Sequence, residues 1–248
     1  MQKNLSILEL TILIGSLTLL VMSCGVSAED LSTSNQSTIL VSSTGSASDG
    51  SVIILPSPDH SVSVTLDATL ADRRSVRDYQ DTPITKQELS NLLWAAQGIT
   101  DSQKGKRTAP SGQMIYPITL HVILSRGVDI LPGVYAYHAS EHQLIKEMDE
   151  TGKQGVIDIL AQKSVKSAPA CVVLSGNYTP YQKFGTDMAN QSMYLEGGHI
   201  AQNFLLELNA LKLAGVPFSG FNSEDVGKAL RLDSDHPVIY AIAFGTAV

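Results

Sequence analysis

From Thr186 to Leu213 the chain reads TDMANQSMYLEGGHIAQNFLLELNALKL, a long and strongly apolar helical pattern with a Gly197-Gly198 pair inside it. A helix with so little polar surface has to be covered along most of its length. The rest of the sequence offers the covering elements in alternation. TLDATLADRR reads as a short helix that delivers arginines at its end. PITKQELSNLLWAAQGI opens with a capping box, Thr85 and Glu88, and carries an apolar face through Leu89, Leu92, Leu93 and Ala96. ITLHVIL, GVYAYH, ACVVLSG and PVIYAIAFG read as strands, and QGVIDILAQKSV as one more helix. Helices mixed with hairpin-like and crossing strands predict an α+β domain, one sheet with helices on its faces.

The chain has 248 residues, room for one well-buried domain plus extras. Its 24 acidic residues against 17 Lys and Arg give a net charge of −7, which argues against a general nucleic-acid surface. No internal repeat, P-loop, dinucleotide fingerprint, nucleophile elbow or paired-cysteine metal motif occurs. His138 and His142 in YHASEH have a spacing that suits metal on a helix, but the local pattern is strand and turn, so both are read as surface and no metal is implied. Cys171, inside an apolar strand, reads as a small buried hydrophobe.

The first 28 residues have a Lys3-bearing start, the apolar run TILIGSLTLLVM and small residues after it, the pattern of an export signal. VMSC resembles a lipobox that would place a lipid on Cys24; VSA would instead suit cleavage after Ala28; an uncleaved membrane anchor is the third reading. Each expects the body outside the cytoplasm, touching membrane only through this segment. Between Leu31 and Ser51, eleven of 21 residues are Ser or Thr without apolar period, so residues 29–50 are expected to be a flexible tether. Asn35 opens an N-x-S glycosylation acceptor pattern there. Residues 51–248 are the folded domain.

Three short stretches can carry chemistry. DRRSVRDY packs Arg73, Arg74 and Arg77 around Ser75. In an extended segment residues 73, 75 and 77 share a side, so two guanidiniums and a hydroxyl would converge in a geometry suited to a phosphate. The opposing reading leaves these arginines as a solvated face or pairs them with Asp72, Asp78 and Asp81. RTAPSGQMIYP is a stiff turn whose amides and Ser111 hydroxyl could face a ligand, and GVPFSGF is a second turn directly after the long helix.

Taken in order, IILPSP, LADRRSVRDY, ELSNLLWAAQGIT, RTAPSGQMIYP, GVYAYHASEHQL, LEGGHIAQNFLLELNAL, GVPFSGF and VIYAIAFG resemble the nitroreductase-like flavoproteins, especially the branch containing azoline-oxidising dehydrogenases. The resemblance implies a central mixed, largely antiparallel sheet flanked by helices in three α-β-α layers. It implies FMN at the interface of a homodimer and a small-molecule or quinone-like redox partner. By motif, Arg73 and Ser75 would hold the phosphate and ribityl chain and Arg77 would approach the N1–C2=O edge of the flavin, with Arg74 a further cofactor-binding residue. Pro110, Ser111, Gly112 and Met114 would line the cofactor, Met114 standing where many relatives place asparagine. Pro217, Phe218, Ser219 and Gly220 would form the turn whose Ser219 and Gly220 N–H groups face flavin N5. No side-chain nucleophile is required, although Lys183 matches the lysine of a Lys-Tyr pair in the azoline-oxidising branch. Phe184 stands in place of that tyrosine, which ranks azoline oxidation below a general FMN oxidoreductase. A flavin-binding module without turnover is the alternative of a different class.

Overall fold

A computed structural model of the chain describes residues 51–248. The expected export signal, Cys24, Ala28, Asn35 and the tether lie outside the described residues.

Seven strands form the main sheet: β1 (Val52–Ile54), β4 (Thr119–Leu124), β5 (Gly133–His138), β6 (Gln143–Met148), β7 (Ala170–Ser175), β8 (Ala214–Phe218) and β9 (Val238–Gly245), in the order β1-β6-β5-β4-β7-β9-β8. Every pair of these neighbours is antiparallel. The parallel component is confined to single bridges, Ser75 with Gly215 and Ile84 with Gly127, so the arginine stretch attaches along the β8 edge. A two-stranded hairpin, β2 (Ile99–Asp101) with β3 (Lys106–Arg107), stands apart.

Side chains alternate across the sheet and build a core on each face. Leu120, Val122, Val172 and Leu174 point to a layer formed by α2 (Lys86–Gln97) and α5 (Thr186–Ala210), where Leu89, Leu92, Leu93, Phe204 and Leu208 meet them. Ile123, Cys171, Val173 and Ala243 point the other way. There they meet Val156 and Leu160 of α3 (Glu150–Leu160), Val165 of α4 (Lys163–Ser167) and Val226 of α6 (Ser223–Ala229). The result is the three-layer α-β-α arrangement. Burial pushes the Cys171 thiol far above its ordinary value, consistent with an inert packing residue.

Local chemistry explains the elements that place the site. Both halves of the capping box open α2: Thr85 Oγ1 accepts from the Glu88 N–H, and Glu88 accepts from the Thr85 N–H at 2.7 Å. The helix α1 (Leu66–Asp72) is capped by Thr65 and ends on Arg73, whose N–H bonds Thr69 O. At Gly215 an added Cβ would stand 2.8 Å from Leu208 Cδ1 and 3.0 Å from Ala243 O, so glycine lets α5 press against the β8 edge.

Three expectations change. QGVIDILAQKSV is two helices, because Ala161 takes a left-handed conformation (φ 53°) and stops α3 before α4 begins. GVPFSGF is mostly strand: Gly215 to Phe218 pair with β9, and only Ser219 onward turns away. Pro217 is tolerated because β8 is the edge strand. His138 is exposed as read, but His142 is a half-buried hub. Its Nε2 lies 2.8 Å from Ser90 Oγ and 3.1 Å from Pro56 O, and its Nδ1 2.9 Å from Tyr137 Oη. Burial lowers its proton affinity.

Candidate flavin site

The arginines sit at the β8 edge without anionic partners. Val76 N–H donates to Gly215 O at 3.2 Å, pinning the stretch that carries them to the strand. Arg74 Nη1 bonds the carbonyls of Ala71 and Arg73, both at 2.8 Å. Asp78 is paired with Lys163 (3.3 Å) and Asp81 with Arg126 (2.8 Å). Among the described residues, Arg73, Arg74 and Arg77 make no ion pair. The salt-bridged surface reading therefore fails for Asp78 and Asp81, whose carboxylates are committed to other cations.

The three cations do not converge as an ideal strand would have them. Arg73 and Arg74 line a pocket of about 80 Å³ with Leu205, Leu208 and Gly215. Arg77 lines a separate one of about 280 Å³ with Lys163, Pro217 and Phe218. Between Arg73 and Arg77 the backbone has only the one bridge at Ser75, too little pairing to enforce the alternation of a regular strand, while Tyr79 beyond them is buried and its Oη donates to Ala243 O of β9 at 2.9 Å. The two pockets flank β8 and share no arginine.

At the end of β8, Ser219 and Gly220 are exposed, and their backbone N–H groups donate to no loop or turn acceptor among the described residues. A Cβ on Gly220 would meet nothing within 4 Å. Ser219 shares a pocket of about 230 Å³ with Tyr194, Gly197, Gly198, Ile239 and Tyr240. A Cβ on Gly197 would lie 2.8 Å from Ile239 Cδ1, so a larger residue there would make the Ile239 side chain shift.

The turn at Pro110 is strained. A 3-10 turn spans Gly112–Met114, and Gln113 (φ 56°), Met114 (φ 55°) and Tyr116 (φ 52°) all lie in the left-handed region without being glycine. Such conformations persist where the surroundings impose them and concentrate at functional sites. Ser111 Oγ accepts the Tyr116 N–H at 2.8 Å and closes the turn. Pro110, Gly112 and Met114 are exposed. None of Pro110, Ser111, Gly112 and Met114 lines the pockets that hold the arginines.

Behind that turn lies a polar chamber which the sequence did not reveal. Glu196, on α5, is 2% exposed. Its Oε1 is 3.5 Å from Gln97 Nε2, and Oε2 has no partner of hydrogen-bonding geometry. Arg107 Nη1 donates to Gln97 Oε1 at 3.1 Å, its Nε is buried without a partner, and its guanidinium lies 4.6 Å from the Tyr116 ring centre. Burial raises the Glu196 carboxyl to about 6, with the nearby Ser111 hydroxyl, Arg107 and Gln97 pulling it partly back. Its signal was its phase: Met193, Glu196, Gly197 and Ile200 fall on the buried stripe of α5.

Lys183 is exposed in a 3-10 turn (Thr179–Phe184), with Nζ 4.8 Å from the ring centre of its neighbour Phe184. His199 is exposed, so it does not pack within the chain, while Asn203 is half-buried beside Trp94. The residues present suit a phosphorylated flavin: uncommitted arginines for its phosphate, and open, unbonded amides at Ser219 and Gly220 for acceptor atoms of its ring.

Comparison with known proteins identifies the family. The sequence pattern of the Nitroreductase family matches residues 70–246. A candidate nitroreductase of Methanocaldococcus jannaschii is 31% identical over 177 residues, covering 71% of this chain and 88% of the relative. The crystal structure of a candidate nitroreductase from Ralstonia eutropha is 26% identical with a TM-score of 0.67, covering 80% of this chain and 90% of that one. A chain of the Escherichia coli microcin synthetase McbBCD complex, with truncated pro-MccB17 bound, aligns at TM-score 0.62 and 17% identity over 79% and 78% of the two chains. At that identity the likeness is one of fold and carries no azoline chemistry to this protein. With the pattern spanning most of the chain, this protein belongs to the nitroreductase family.

Proposed function

We propose that the chain is an FMN-dependent oxidoreductase that passes hydride or electrons to a small, quinone-like acceptor and works as a homodimer outside the cytoplasmic membrane. The observation that carries the reading is the set of three arginines at the β8 edge, left without carboxylate partners while Asp78 and Asp81 are committed elsewhere. Guanidiniums so placed offer forked donors to a phosphate. When bound, the flavin supplies the redox chemistry, so no side-chain nucleophile is needed. Arg73, Arg74 and Ser75 would bind the phosphate and ribityl chain, and Arg77 would place a cation at the ring edge where negative charge develops. Ser219 and Gly220 would orient the reactive edge through their N–H groups.

The dimer is supported by exposed apolar side chains on α5, Met188 (52%), Tyr194 (60%) and Leu195 (58%), together with Met114 (60%). A second copy would bring its own Pro110–Met114 turn to the arginine edge, which one chain does not do. Placement outside the cytoplasm rests on the N-terminal sequence pattern, with lipidation at Cys24 as the favoured outcome. Azoline oxidation is the least supported activity, since Phe184 supplies no phenol and Lys183 stacks on it.

The test is the visible absorption spectrum of the purified protein. Flavin bands that stay with the protein through gel filtration are expected. A colourless chain that fails to retain added FMN would overturn the reading. A bound flavin that dithionite reduces but no biological donor does would favour the binding module over the enzyme.

A further inference from the structure

Ser111 has one proton to donate, and two groups stand to receive it. Its oxygen already accepts the Tyr116 N–H at 2.8 Å, which fixes the hydroxyl inside the strained turn. Its O–H is then free to point toward the Glu196 carboxyl, which lies near enough for the hydroxyl to lower its proton affinity although no hydrogen bond joins the two, or toward a ligand in front of the turn. Glu196 is almost completely buried with one oxygen unpartnered, an arrangement that costs free energy unless something fills the vacancy. Gly112, next to Ser111, is held from behind by Tyr181, whose Oη donates to Gly112 O at 3.4 Å.

We propose that Glu196 is a positioning residue for the flavin site, acting through Ser111: ionised, its carboxylate captures the only proton Ser111 can donate, and neutral, it releases that donor to the ligand. The inference rests on the flavin reading above and adds a proton switch to it. Flavin binding that uses the Ser111 O–H is then coupled to protonation of Glu196.

The sign follows from the surroundings. The groups facing the chamber are Arg107 from β3, Gln97 from α2 and Tyr181 from the Thr179–Phe184 turn, with Tyr137 of β5 and Tyr116 beside Arg107. A guanidinium stays charged between pH 5 and 8. Tyr181 and Tyr137 are pushed upward by burial and stay neutral there. Glu196, at about 6, is the chamber group that changes charge across this range. Affinity for a flavin should therefore fall as pH rises through that value.

Riboflavin is the probe, because the FMN phosphate itself titrates at about pH 6. Its dissociation constant for the full chain, followed by fluorescence quenching from pH 5 to pH 8, should rise about tenfold, the worth of one hydrogen bond near the upper end of its usual range. Glu196→Gln, which cannot ionise, should give a flat profile at the tight end. Parallel profiles for the two proteins would overturn the proposal. If the wild-type chain binds neither riboflavin nor FMN at any pH, the flavin reading falls, and the Glu196–Ser111 link is judged alone. Carboxyl NMR of glutamate-labelled protein would then follow Glu196, assigned by its loss in Glu196→Gln. Ser111→Ala should shift its midpoint upward by removing the donor, and an unmoved midpoint would refute the link.

Discussion

At the β8 edge, Arg73, Arg74 and Arg77 make no ion pair among the described residues and reach solvent from five residues that carry one bridge, at Ser75. In the chamber behind Ser111, Glu196 is buried and Arg107 half-buried, each with one buried atom unpartnered, under a turn with three left-handed non-glycine residues. One region keeps charge accessible and its backbone lightly held; the other hides charge and strains the backbone to do so. Exposed guanidiniums suit capture of a phosphate, because they bring little desolvation cost until the anion arrives. A buried carboxyl suits a switch, since small changes in its contacts move its protonation a long way.

The largest effect is expected from cutting the exposed region. Arg73→Ala with Arg77→Ala should weaken FMN binding by about a hundredfold or more, two charge-assisted hydrogen bonds being lost together. The single variants sharpen the comparison, because their pockets are separate. Arg73→Ala should weaken FMN and leave riboflavin unchanged, whereas Arg77→Ala should weaken both. Equilibrium dialysis with the two flavins reads the difference. Equal losses for both flavins with Arg73→Ala would remove it from the phosphate.

The buried region should show itself in stability even without ligand. The Glu196 carboxyl is raised by burial from an ordinary value of 4.5 to about 6, so the fold favours its protonated form. That contribution is fully present below 4.5 and is lost as pH rises through about 6. Urea denaturation should find Glu196→Gln more stable than wild type by about 2 kcal/mol at pH 8, with the gap nearly closed at pH 4. A gap that does not change with pH would mean that the Glu196 carboxyl titrates alike in the folded and unfolded protein, and that burial does not raise it.

These two regions were not equally legible. The arginine cluster was visible because three like charges in five residues stand out in an acidic chain, though their separation across two pockets was not. Glu196 in LEGGHI shares the phase of Met193, Gly197 and Ile200 on α5, the one local signal that it is buried. Its polar neighbours, Gln97 and through it Arg107, lie far upstream and are not legible from that window. The strand β8 was hidden by its Gly215 and Pro217, which count as turn residues until the edge position excuses them. The break at Ala161 carries no glycine or proline to announce it. Elements whose cause is local, such as the α2 capping box and the apolar strands β4, β7 and β9, were legible from short windows.

The N-cap of α2 offers the mildest perturbation and the most discriminating control. Gln97, the last residue of that helix, links Arg107 to Glu196 in the chamber. At the other end of the helix, Thr85→Ala removes the acceptor for the Glu88 N–H, while leaving Glu88 without its Thr85 Oγ1 partner at 2.8 Å. The cost should be about 1 kcal/mol of global stability, read from the urea midpoint at unchanged slope. Because the cap lies at the far end of α2, the pH dependence of riboflavin binding should keep its midpoint and amplitude. The arginine edge, on neither end of that helix, should keep its preference for FMN over riboflavin. If so small a loss at Thr85 flattened the pH profile, the chamber would be reporting the general firmness of α2, and the contrast between a captured proton and a captured phosphate would collapse into one of stability alone.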